Sequence, residues 1–180
     1  MEHARAGADE AHATRVPGPL ALYQVSVAPE WVDYNGHMSE WCYLLVMGNS
    51  SDAFFRHIGI DEAYRAAGAS LYTVETHIRN LLEASEGEQL TLTLQVLGSD
   101  AKRVHIAHQI VRGDDEIVAT GEQLLLHVDT AAGRASALPE DVRRRVADLA
   151  EAHRELDRPH WVGHVMGIPD RVSSGPQGSP

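Results

Sequence analysis

The segment from Trp41 to Ile58 is apolar on nearly every side of a helical wheel, interrupted only at Asn49–Asp52 and Arg56. A helix with so little polar surface has to be wrapped by other structure, and this demand limits what the chain can become. Ser39 stands where an N-cap residue is expected, and Glu40 places negative charge in the first turn. The wrapping layer has its own signature. Downstream the apolar period changes from helical to two, so that Leu71–Leu82, Gln89–Leu97, Arg103–Val111 and Ile117–Val128 read as four long strands. Leu90, Leu92, Leu94 and Val96 alternate with Thr91, Thr93 and Gln95, which gives that strand one core face. The links Glu86-Gly87, Gly98-Ser99-Asp100 and Gly113-Asp114-Asp115 are short, as antiparallel neighbours require.

Shorter elements complete the pattern. Leu20–Ala28 reads as a strand that stops at Pro29, and Asp61–Ala67 as a short helix ended by Gly68. Pro139 opens an amphipathic helix through about Leu156, with Val142, Val146, Leu149 and Ala150 on one side and Arg143–Arg145 largely on the other. Residues 1–19 and 158–180 lack a periodic apolar pattern and are expected to be tails, which leaves residues 20–157 as one domain. The expected class is α+β: a curved antiparallel sheet wrapped around a long central apolar helix, plus a C-terminal helix, the arrangement called a hotdog fold. Such a sheet leaves edges that a partner subunit can cover, so a homodimer or homotetramer is expected.

Composition narrows the partners. Twenty-six acidic residues against fifteen Lys and Arg leave a formal charge of -11, and no basic run offsets it, so nucleic acid and anionic membrane are poor partners. The longest apolar runs, around Trp41–Met47 and Leu124–Leu126, are far shorter than the ~20 residues of a membrane span. No apolar signal segment opens the chain. Cys42 is the single cysteine, which rules out an intramolecular disulfide or a cysteine-based zinc cluster and suits a reducing cytoplasm.

The segment Trp31-Val32-Asp33-Tyr34-Asn35-Gly36-His37-Met38 concentrates a carboxylate, an amide, an imidazole and a tight turn immediately before the apolar helix. Amides exposed in the first turn of that helix, near Glu40, favour negative charge and can stabilise an oxyanion. An Asp held nearby can attack a carbonyl or deprotonate a water that does. These are the parts of an acyl-transfer site. Turn chemistry explains the same residues differently: Asp33 caps the Asn35-Gly36 turn, and His37 is a hydrogen-bonded packing residue.

The pattern Asp33-x-x-Gly36-His37-Met38 ahead of an apolar helix resembles the active-site signature of hotdog acyl-CoA thioesterases of the 4-hydroxybenzoyl-CoA thioesterase type. The resemblance covers about Leu20–Thr130. Tyr72-Thr73-Val74-Glu75-Thr76-His77-Ile78-Arg79 and Leu124-Leu125-Leu126-His127-Val128-Asp129-Thr130 make the chain similar in particular to the betainyl-CoA thioesterases of carnitine breakdown. The resemblance implies hydrolysis of a short acyl-CoA thioester, with the family's acid at Asp33 and its oxyanion-binding amide at the backbone of about Glu40. His37 occupies a common motif position whose role the match does not define. The resemblance also implies a site at a homodimer interface and no cofactor, coenzyme A being part of the substrate.

A trimethylammonium acyl group has no N–H to donate and is best held by aromatic faces with a carboxylate nearby. Eight of the ten aromatics lie within Trp31–Tyr72. Of these, Phe54, Phe55 and Tyr43 sit in the apolar helix and are expected in the core. Trp31, Tyr34 and Trp41 are the better cage candidates, with Asn35 and Tyr72 as further substrate contacts. Glu75, His77 and Arg79 alternate along one strand and share a face, so Glu75 and His77 can line a cleft. A solvated face or a subunit contact explains them as well. Arg79, Lys102 and Arg103 are candidate anchors for coenzyme A phosphates, against ordinary surface ion pairs as the alternative.

Other chemistries lack their parts. His105-x-x-His108 in a strand points to opposite faces, and His160 with His164 has no convincing carboxylate partner, so no required metal is expected. A Gly-x-Ser-x-Gly elbow and a phosphate-binding glycine loop are both missing. Cys42 on the apolar helix is expected to be a small buried hydrophobe. Two rivals stay open: a hotdog hydratase or dehydratase using Asp33 and His37 on an enoyl thioester, and a non-catalytic acyl-CoA sensor. Release of free thiol separates both from a thioesterase.

Overall fold

The computed structural model describes residues 18–113 and 115–168; the outer parts of both expected tails lie outside the described residues. Strand β1 (Leu20–Ser26) leads through a 3₁₀ turn at Pro29–Trp31 to helix α1 (Glu40–His57) and the short helix α2 (Glu62–Ala66). Four long strands follow: β2 (Ala69–Asn80), β3 (Gln89–Ser99), β4 (Arg103–Arg112) and β5 (Glu116–Asp129). A two-residue β6 (Arg134–Ala135) pairs with β5, and helix α3 (Glu140–Ala152) closes the regular structure. Every strand pair is antiparallel, in the order β1-β3-β4-β5-β2. The curled sheet holds α1 in its concave face, the hotdog arrangement.

Period-two alternation sorts the strands into faces. Leu90, Leu92, Leu94 and Val96 of β3 and Val104, Ile106 and Ile110 of β4 are buried under α1, together with Ala119 and Leu125 of β5. From the helix side come Cys42, Tyr43, Val46, Met47, Phe54 and Phe55, all buried, as expected of Cys42, Tyr43 and the two phenylalanines. The wrapping is one-sided. Trp41, Leu44 and Leu45 form a helical stripe that is 57%, 48% and 38% exposed, so a single sheet covers only part of the apolar helix.

The polar residues in mid-helix go inward as well. Ser51 donates to Gln123 Oε1 at 2.8 Å and lies 3.2 Å from His108 Nε2, and all three are buried. His105, three residues earlier, points to the outer face and bonds Glu122, so the two histidines are on opposite faces as the strand period requires. Burial holds the His108 imidazole down to about 4, with the Gln123 hydrogen bond opposing the shift. Beyond α3, His153 takes the backbone N–H of Val96 at 2.9 Å. That amide lies past the point where β1 stops pairing with β3. The chain then rounds the β3 edge and lays Trp161, 5% exposed, against the outer side of the sheet. Among the described residues, no helix is long and apolar enough to cross a membrane.

Ser39 occupies the N-cap position of α1 with extended dihedrals, yet its hydroxyl makes no capping bond. Ser39→Ala is therefore expected to leave thermal stability within about 0.5 kcal/mol of the parent, against the ~1 kcal/mol lost at a bonded cap, as measured by denaturant unfolding. His108 gives a second expectation. Its folded pKa lies below the ordinary 6.5, so between 6.5 and about 4 the proton binds only the unfolded chain, and stability falls as pH falls through that window. Unfolding measured at several pH values should show the slope reduced by about 1.4 kcal/mol per pH unit in His108→Gln. An unchanged slope would show that His108 does not carry the dependence.

Candidate active site

The segment before α1 is a tight hairpin. Val32 and Met38 form an antiparallel bridge, and the Asp33 amide donates to the His37 carbonyl at 3.0 Å. The Gly36 amide reaches back to the Asp33 carbonyl at 3.0 Å, with Gly36 at φ +83°, a conformation that glycine adopts without strain. Asp33 Oδ1 accepts the Asn35 amide at 2.7 Å, so turn capping does occupy one carboxylate oxygen; no described group bonds the other. Two further backbone bonds fasten the hairpin: Met38 N–H to the Ala84 carbonyl at 2.7 Å, and Ser39 N–H to the Trp31 carbonyl at 2.8 Å.

This fastening determines what the helix mouth offers. The Cys42 amide is bonded to the Ser39 carbonyl, while the Glu40 and Trp41 amides have no acceptor among the described residues. With the Ser39 hydroxyl also unused, two N–H groups at the positive end of an eighteen-residue helix remain open to an incoming oxygen. Glu40 borders a cleft of about 240 Å³, lined by Met38, Glu40 and Tyr43 on one side and by Asn80, Leu81, Leu82 and Glu83 on the other. The second wall was not anticipated. Its only sequence signal is the pair Leu81-Leu82 immediately after a strand, and these leucines are 45% and 41% exposed.

Around the mouth, His37 Nε2 lies 3.2 Å from Glu83 Oε2. The buried Tyr43 hydroxyl donates to the Leu82 carbonyl at 3.3 Å, and burial raises its pKa. Burial likewise pushes the Cys42 thiol up, away from the reactive thiolate form. In the single chain Asp33 does not line this cleft. Trp31 is half-buried at the hairpin base, Tyr34 at the tip is 96% exposed, Asn35 is exposed beside it, and Trp41 projects from the first helical turn.

The remaining expected residues are not gathered here. Glu75, His77 and Arg79 do share a face, but it is the outer one: His77 is paired with Glu122 and Arg79 with Thr120, both on the side away from α1. The cause is a bulge between Thr73 and Glu75. Leu71 points into the core, and the extra residue reverses the phase of everything after it. Glu75 and His77 line a separate cavity with His105, Glu122 and His164, the His77 and His164 rings lying parallel with centroids 6.1 Å apart. Tyr72 lies near the start of β2, far along the strand from Asn80. Arg103 is held by Asp100 at 2.6 Å, and Lys102 sits in the same turn. Both are at the opposite end of β4, about 30 Å long, from Arg112, which lies beside the helix mouth. Neither can reach the cleft of its own chain. No group of three His, Cys, Asp or Glu among the described residues is placed to hold a metal ion.

Known proteins share this framework. A betainyl-CoA thioesterase of Pseudomonas aeruginosa PAO1 is 45% identical over 152 residues, covering 83% of this chain and 96% of that protein. An L-carnitine dehydrogenase/betainyl-CoA thioesterase of Rhizobium meliloti is 48% identical over 153 residues, and the match spans 83% of this chain but 30% of that longer relative. The crystal structure of a candidate thioesterase of Pseudomonas putida KT2440 superposes with a TM-score of 0.74 at 32% identity, covering 85% of this chain and 99% of that one. A Staphylococcus aureus protein crystallised with CoA shares the fold at a TM-score of 0.77 and 24% identity, covering 84% and 97% of the two chains. Residues 27–146, from the end of β1 through the hairpin, the central helix and the long strands into α3, match the profile of the thioesterase-like superfamily, and the chain belongs to that superfamily.

Proposed function

We propose that this chain is a thioester hydrolase whose substrate is betainyl-CoA, cleaved to glycine betaine and free coenzyme A. The observation that carries the reading is the pair of unbonded amides at Glu40 and Trp41, set beside the Asp33 hairpin in a chain 45% identical to a betainyl-CoA thioesterase. In this reading the thioester carbonyl oxygen lies against the Glu40 N–H. Asp33 attacks the carbonyl carbon, or takes a proton from a water that attacks it. The tetrahedral oxyanion is held by the helix amide, and the C–S bond breaks to expel the thiolate, which takes up a proton from the protonated Asp33 or from water. Where Asp33 itself attacked, water then hydrolyses the acyl–aspartyl anhydride and releases glycine betaine. His37, paired with Glu83, orients the hairpin. No cofactor is required, because coenzyme A arrives as part of the substrate.

A second copy completes the site in this proposal. β2 is an edge strand whose residues from Tyr72 to Thr76 are exposed, and the Trp41–Leu44–Leu45 stripe of α1 is uncovered as well. An exposed edge and an adjoining apolar stripe are what a homodimer would bury, closing the cleft around Asp33 and bringing cations of the partner toward the coenzyme A phosphates. Tyr34, Trp41 and Trp31 form the wall that receives the trimethylammonium group. Two of the three are mostly exposed in the single chain, so core packing does not account for them.

Asp33→Asn keeps an acceptor for the Asn35 amide and removes the negative charge. It is expected to lower thiol release from betainyl-CoA by about 10³-fold or more with an unchanged far-ultraviolet circular dichroism spectrum. Activity within tenfold of the parent would remove Asp33 from the mechanism. The cage is tested with the 3,3-dimethylbutanoyl thioester, the uncharged isostere of betainyl-CoA. The parent is expected to favour the cation by about tenfold or more in kcat/KM, and Trp41→Leu to lose most of that preference. Equal rates on the two thioesters in the parent would eliminate the cage and leave the hydrolase.

A further inference from the structure

The outer face of the sheet carries a polar row that hydropathy alone reads as solvent-facing. Register places Thr93 opposite Gln109, Gln109 opposite Thr120, and Thr120 opposite Arg79, so four strands contribute one line of side chains across the sheet. Facing residues on neighbouring antiparallel strands have Cβ atoms about 5 Å apart. The row is not open to water in the ordinary way. Trp161 and its neighbours roof it after the chain rounds the β3 edge, and the roof is fastened by the Gly163 amide donating to Glu122 at 2.7 Å. Between row and roof lies a cavity of about 460 Å³.

Two features of this cavity are unfinished as protein structure. Thr120 is 1% exposed, and its Oγ1 has no hydrogen-bond partner. A buried hydroxyl left in that state costs free energy unless something bonds it. Directly across from it, Arg79 makes no ion pair or hydrogen bond among the described residues. The Arg79 guanidinium beside Thr120, with Trp161, Leu156 and Ile117 as apolar walls, matches an acceptor group carried on an apolar body.

We propose that this cavity binds a small monocarboxylate with an apolar body, its carboxylate held by the Arg79 fork, with the Thr120 side chain rotating to present its unpartnered hydroxyl. Arg79 is the one guanidinium in this lining, which also includes His160. A coenzyme A nucleotide would bring several charges to a cavity that also contains the Asp157 carboxylate. The site lies on the side of the sheet away from α1. Leu81 lines both this cavity and the cleft at the helix mouth, so the two are neighbours across one side chain. The assignment does not depend on the thioester chemistry.

The test uses the full chain and nuclear magnetic resonance of the three tryptophan indole N–H groups, with the Trp161 signal assigned through Trp161→Phe. Benzoate is expected to move that signal saturably, and benzamide, the neutral analogue, to bind at least about tenfold more weakly. Arg79→Gln should weaken benzoate by a similar factor while retaining the parent spectrum, and Thr120→Val by a smaller one. Failure of benzoate to move the signal, or equal binding of benzamide by the unmodified chain, would overturn the proposal without any variant. Coenzyme A displacing benzoate from the same signal would also overturn it, making the cavity part of a nucleotide site.

Discussion

Helix α1 packs on the sheet most closely at a contact in which a side chain is missing. Met47, fully buried, lies directly over Gly121 of β5; a Cβ at that glycine would stand 2.4 Å from the Met47 sulfur and 2.9 Å from its methyl carbon. Any larger residue there would have to displace the flexible end of the Met47 side chain, which fills the space over the glycine. The same helix brings Ser51 to Gln123 and His108, and its first turn faces the Asn80–Glu83 wall. The chemistry proposed for the helix mouth therefore shares a helix with this packing contact, about two turns away.

Much of the architecture was legible because periodicity is a physical demand. Alternation at Leu90–Val96 found β3, and the unbroken apolar character of Trp41–Ile58 found the central helix; the long strands differ from their expected bounds by one or two residues at an end. What alternation does not reveal is which face is which. The bulge between Thr73 and Glu75 turned three polar residues outward, and no residue type in that stretch announces it. Trp161 was assigned to a tail because a lone aromatic among Pro, His and Gly has no period; its burial depends on the chain turning at His153. At the site, Asp33, His37 and the Glu40 amide are adjacent in sequence and could be read together. Lys102 and Arg103 could not be placed, because sequence says little about which end of a strand a turn occupies.

The two faces of the sheet divide the titratable groups between them. On the concave side, burial keeps His108 neutral among hydroxyl and amide partners. On the convex side, the Glu122 carboxylate bonds both His105 and the Gly163 amide, and its pKa is lowered by those bonds against the opposing effect of burial. The sheet thus separates a neutral interior from an outer surface organised by charge. The same strands serve both, because each successive residue faces the other way.

The hairpin from Val32 to Met38 is held almost entirely by main-chain bonds, to His37, Ala84 and Trp31 carbonyls. Its shape is consequently indifferent to most of the side chains it displays. Tyr34, Asn35 and Trp41 have exposed side chains that make no hydrogen bond to the turn or the helix start among the described residues. In the proposed site, exchange of those residues would change which acyl group is recognised while the main-chain frame beneath stays in place. Divergence of substrate choice would then proceed by surface replacement alone, with little penalty in foldability.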